Sequence, residues 1–115
     1  MIRGTTPTIT YHINSNLDFE NIEEAWITVE QEVKHTDIEK TWKYSENRVF
    51  LDASLRRIYV VLSQEETLAF DAGNVEVQLR ILMKDGTSLA TKVKVVPLDK
   101  ILTEGSIAGA EESED

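Results

Sequence analysis

Cysteine is absent from this chain of 115 residues. Disulfides, thiolate metal sites and thiol nucleophiles are therefore excluded. Histidine is scarce, with only His12 and His35. Neither has a carboxylate or second histidine at ligand spacing, and a zinc site needs three or four convergent ligands. No metal or cofactor is expected. The glycines at 4, 73, 86, 105 and 109 are isolated, which excludes a glycine-rich phosphate cradle. No apolar run approaches the roughly 18 residues of a membrane span, and residues 1–7 lack a signal-peptide core. Basic residues are outnumbered 12 to 21, for a net charge of −9. That balance argues against nucleic-acid and anionic-membrane partners, which need basic surface.

Five of the acids (Glu104, Glu111, Glu112, Glu114, Asp115) lie in the last 12 residues, which hold no Lys or Arg; without them the body carries −4. The pattern divides the chain into a single domain over 1–102 and a disordered acidic tail over 103–115.

What is present is two-residue alternation, the mark of strands with one buried face. Thr8–Ile13 sets Ile9, Tyr11 and Ile13 inward. Ala25–Val33 sets Ala25, Ile27, Val29, Gln31 and Val33 on one face and Trp26, Thr28, Glu30 and Glu32 on the other. Ile38–Tyr44 aligns Ile38, Lys40, Trp42 and Tyr44. Val49–Leu51 and Arg57–Leu62 follow as shorter strands, the second with Ile58, Val60 and Leu62 inward. Val75–Lys84 turns Val75, Val77, Leu79, Ile81 and Met83 inward. Asp85-Gly86 signals a type I′ hairpin turn into Thr87–Val96, with Leu89, Thr91, Val93 and Val95 on one face and Pro97 ending the pairing. Between the fifth and sixth strands, Ser63 and Glu66 form a capping box over a short helix, with Leu68 and Phe70 turned inward and Ala72-Gly73 as its stop. Asp18 is placed to cap one turn in the connection 14–24. The reading is all-β: an immunoglobulin-like antiparallel β-sandwich of about seven strands with that one helix, a small barrel being the alternative.

No catalytic constellation emerges. Acid pairs such as Glu30 with Glu32 share a strand face, but a glycosidase needs carboxylates facing each other across a cleft. Ser54, Ser63 and Ser88 lack a nucleophile context. No enzymatic activity is expected. The residues expected at a partner contact are Trp26, Trp42 and Tyr44, on the ground that aromatics anchor interfaces. The same rings would serve a carbohydrate-binding module as stacking platforms.

Met1-Ile2-Arg3-Gly4-Thr5-Thr6-Pro7-Thr8, Val61–Phe70, Val77-Gln78-Leu79-Arg80-Ile81, Val95-Val96 and Lys100-Ile101-Leu102, in that order, resemble a family of small proteins encoded by phages and prophages of Gram-positive bacteria. Some members sit among tail and structural genes. The architecture also resembles the N-terminal sandwich of phage upper-baseplate proteins, a likeness of fold alone. The resemblance implies a non-catalytic structural or assembly role in the tail or baseplate. Its partners would be phage structural proteins or further copies of itself, and its location the bacterial cytoplasm during assembly and then the virion. The arm Met1–Pro7 is expected to be flexible and to order against a neighbour.

Overall fold

The computed structural model describes residues 1–33 and 36–100. The expected turn at His35 and the acidic tail over 103–115 lie outside the described residues. Among the described residues there are eight strands, β1 (Thr8–His12), β2 (Ile22–Val33), β3 (Thr36–Lys43), β4 (Val49–Asp52), β5 (Arg57–Val61), β6 (Gly73–Met83), β7 (Ser88–Ala90) and β8 (Lys94–Leu98); a helix, α1 (Gln64–Leu68), links β5 to β6. All strand pairs are antiparallel. They form a three-stranded sheet, β1-β5-β4, and a five-stranded sheet in which β6 lies between β2 and the successive strands β7 and β8. No helix among the described residues is long and apolar enough to cross a membrane.

The inner faces are those the alternation specifies. Ala25, Ile27 and Val29 from β2 and Val75, Val77 and Leu79 from β6 are fully buried against Ile58 and Val60 from β5. Gln31 also falls on the buried face. Its side-chain amide donates to the Asp71 carbonyl at 2.7 Å and its carbonyl accepts from the Asp71 amide at 2.8 Å. Burial of this polar group is thereby compensated.

The last strand departs from simple alternation. Ala90 is opposite Arg80, but Lys94 is opposite Val77, so one extra residue is accommodated between β7 and β8. Thr91 holds this bulge. Its amide donates to the Leu79 carbonyl at 2.9 Å and its hydroxyl accepts from the Leu79 amide at 3.1 Å. A bulge reverses the parity beyond it. Val93 and Val95, expected to share a face with Leu89 and Thr91, are turned outward and exposed, while Leu98 is buried and Val96 packs on the core. Lys94 falls on the inward row opposite Val77 yet stays exposed, its ammonium 5.4 Å from the Tyr11 ring centroid. Pro97 does not end the pairing; it lies opposite Asn74 on the sheet edge, where a missing N–H is tolerated.

The hairpin before β7 is also different from a type I′ turn. Only Gly86 has positive φ there, whereas type I′ needs it at two positions. Gly86 donates to the Met83 carbonyl at 2.9 Å, and the Asp85 carboxylate accepts from the Thr87 amide at 2.9 Å. The result is a three-residue loop closed at its glycine.

The arm Met1–Pro7 is built into the fold. Asp99 donates to the Met1 carbonyl at 2.7 Å and Arg3 to the Asp99 carbonyl at 2.9 Å. The Arg3 guanidinium donates to the carbonyls of Phe70 and Leu68, at 2.5 and 3.1 Å. It thus satisfies carbonyls that the end of a helix leaves open, in place of the expected Ala72-Gly73 stop. Thr67, not Leu68, is the fully buried residue of α1. Its hydroxyl accepts from the Gly4 amide at 3.0 Å and donates to the Thr5 carbonyl at 2.9 Å. Thr67→Val keeps the shape and strands both arm groups. It should cost about 1–3 kcal/mol, read as a lower urea midpoint with an unchanged slope.

Candidate functional site

The three aromatics expected at a partner contact do not meet on one surface. Trp42 is opposite Ile27 and belongs to the buried face of the five-stranded sheet. Its indole N–H donates to the Glu66 carboxylate at 2.8 Å. Trp42 is thus a core residue, drawn in because an inward carboxylate can satisfy its one donor. Trp26 has the opposite parity and sits half-buried on the outer face, between Lys43 and Arg80 in register. Tyr44 is exposed on a single 3-10 turn, Tyr44–Glu46, that leads from β3 into β4. A sugar-stacking platform of the three rings is not formed.

A different aromatic surface is present on the outer face of the three-stranded sheet. Phe50 of β4 is directly opposite Tyr59 of β5, and their rings stack with centroids 5.4 Å apart. Phe50 is 43 % exposed, Val61 on the same face 42 %, and Leu55 in the adjoining turn 62 %. The Arg57 guanidinium lies 4.8 Å from the Tyr59 ring centroid and donates to the Asp52 carboxylate at 3.1 Å. Asp52 is itself held by the Ser54 hydroxyl and the Leu55 amide, at 2.9 and 3.2 Å. These hydrogen bonds, with that of Arg57, keep its carboxyl below the usual range. Thr10 and His12 of β1 complete the rows beside Tyr59 and Arg57.

Phe50 lies within the strand Val49–Leu51 that alternation marks, but it is not among the aromatics expected at a contact. The signal was parity. Phe50 stands between inward Val49 and Leu51, and Tyr59 between inward Ile58 and Val60. Two aromatics at solvent parity in strands joined by a short turn are neighbours once the strands pair.

Glu66 fixes β4 beneath this surface. Its carboxylate accepts from the Ser63 amide at 2.7 Å, from the Trp42 indole, and from both terminal nitrogens of Arg48 at 2.7 and 2.8 Å. Arg48, just before β4, also donates to the Val61 carbonyl at 3.1 Å. The second half of the capping box, Glu66 amide to Ser63 hydroxyl, closes at 3.2 Å.

The other depressions are shallow. One of about 270 Å³ on the outer face of the five-stranded sheet is bordered by Thr28, Glu30, Glu39, Glu76, Gln78 and Arg80. Glu39, Glu30 and Glu76 lie directly opposite one another across three strands, an arrangement of like charges that costs stability. These three do not converge on a point, and among the described residues no three such side chains are placed to hold a metal ion.

The paired bond to Arg48 leads the donors that hold the Glu66 carboxyl down, from its ordinary 4.5 to about 2. As the pH falls below 4.5, the unfolded chain takes up this proton before the folded one does. The stability contributed is full above that value and is lost on the way down to about pH 2. Glu66→Gln should cost about 1–2 kcal/mol at neutral pH, allowing for the solvent that still reaches the pair. Its deficit in chemical denaturation should shrink steadily between pH 4.5 and 2.

In comparisons with protein-family models, curated proteins and solved structures, nothing matches this chain.

Proposed function

We propose that this chain is a non-catalytic binding module that acts through protein–protein contacts in a phage or prophage tail or baseplate. The observation that carries the binding reading is the exposed Phe50–Tyr59 stack with Arg57 beside it. Aromatic side chains and arginine are the residues that most often dominate interface energetics. Here they sit on a paired sheet, so little conformational freedom remains to be lost on docking. The phage setting rests on the family resemblance of the Met1–Thr8 and Val61–Phe70 segments, and the partners it suggests are phage structural proteins.

The test is incorporation. Particles purified from the induced phage or prophage should contain the chain in fixed ratio to the tail proteins, measured by mass spectrometry. The double variant Phe50→Ala/Tyr59→Ala should be at least about tenfold depleted from particles, the loss expected when an aromatic hot spot is truncated. With Phe50 exposed and Tyr59 half-buried, loss of the stacked pair should lower the melting temperature modestly and leave the chain folded. Absence of the native chain from particles despite abundance in the lysate defeats the virion placement. Equal incorporation of the double variant defeats the surface.

A further inference from the structure

β4 is an edge strand. It pairs with β5 on one side, and among the described residues no strand follows it on the other. Of the other edges, β7 is only three residues long and β1, Thr8–His12, carries no acid–base pair to set a register; the remaining two are guarded. β3 places Lys40 on its inward row, opposite Val29, a charge that discourages further pairing. β8 carries Pro97, and its far end is bridged by residues 1–3. β4 has neither device.

Together with Arg48 just before it, the strand reads Arg48-Val49-Phe50-Leu51-Asp52, which is complementary to itself when reversed. The geometry points to a second copy of this chain as the occupant of that edge, added antiparallel to β4 about a two-fold axis at Phe50. This deepens the protein-contact reading of the same surface and rests on it. The axis sets Arg48 against Asp52 of the second copy, Val49 against Leu51, and Phe50 against Phe50. On the outer face the Phe50–Tyr59 stack becomes a row of four rings. On the inner face buried Val49 meets Leu51, which packs at the margin of the core. A parallel approach would oppose Arg48 to Arg48 and Asp52 to Asp52.

Arg48 and Asp52 already have partners in Glu66 and Arg57. Their charges therefore select direction and register more than they add strength. A strand of four residues covers less area than a standard stable interface. The association should be weak, concentration-dependent and isologous, the form that a two-fold contact takes.

A residue on the two-fold axis meets itself, which gives a specific test. Sedimentation of the native chain across a wide concentration range should show a monomer–dimer equilibrium. Phe50→Glu and Phe50→Lys should each weaken it at least about tenfold, since like charges then stand directly opposite. An equimolar mixture of the two variants should regain it. Thr10→Glu, in the same row but two strands away, should leave it unchanged. Circular dichroism melting confirms that each variant is folded. A native chain that stays monomeric, a Phe50→Glu chain that still dimerises, or a mixture that regains nothing overturns the proposal. If the native chain is monomeric while Phe50→Ala/Tyr59→Ala is still lost from particles, self-pairing falls and docking to another protein stands. If that double variant also enters particles normally, both fall.

Discussion

One carboxylate joins the parts of this fold that chain connectivity alone would leave loosely related. Glu66 accepts hydrogen bonds from the N-terminus of α1, from Trp42 in the five-stranded sheet and from Arg48 at the start of the three-stranded sheet. Charge-assisted bonds of this kind are stronger than neutral ones, and the paired contact to arginine also fixes orientation. The helix that crosses between the sheets is thereby tied to an element of each. The position of β4, and with it Phe50, follows from that anchor.

The N-terminal arm is a second tie around the same helix. Arg3 closes the carbonyl end of α1, while Thr67 binds the backbone of Gly4 and Thr5 from within it. The two segments that most strongly carry the phage-family resemblance, Met1–Thr8 and Val61–Phe70, are therefore in contact. Their particular side chains have a structural reason to be what they are. The function proposed here falls instead on Phe50, Arg57 and Tyr59, which lie outside both segments and have no comparable burial to explain them.

The two outer faces differ in a way that bears on binding. That of the five-stranded sheet sets three glutamates in register and is polar and shallow. The three-stranded sheet sets a phenylalanine against a tyrosine and leaves valine and leucine exposed nearby. A solvent-facing stack of aromatic rings beside an arginine is the composition that binding surfaces favour. Charged surface of the first kind is ordinary solvated sheet.

The sequence by itself determined whatever depends on near neighbours. Alternation identified the inward rows of β1, β2, β5 and β6. Ser63 and Glu66 marked the helix start, and Asp18 capped its short turn, accepting from the Glu20 amide at 3.1 Å. Each signal acts over a few residues, so the all-β sandwich with one helix between its fifth and sixth strands was readable in advance. Tertiary structure alone decided the long-range matches. The bulge at Thr91 depends on hydrogen bonds to Leu79 and reverses which valines face solvent. Trp42 is core because Glu66, 24 positions away, reaches its indole. Phe50 and Tyr59 became a surface only when register placed them opposite each other. A strand's own residues specify which of its faces is apolar. They do not specify which strand lies beside it or at what offset, and that is where the candidate site was made.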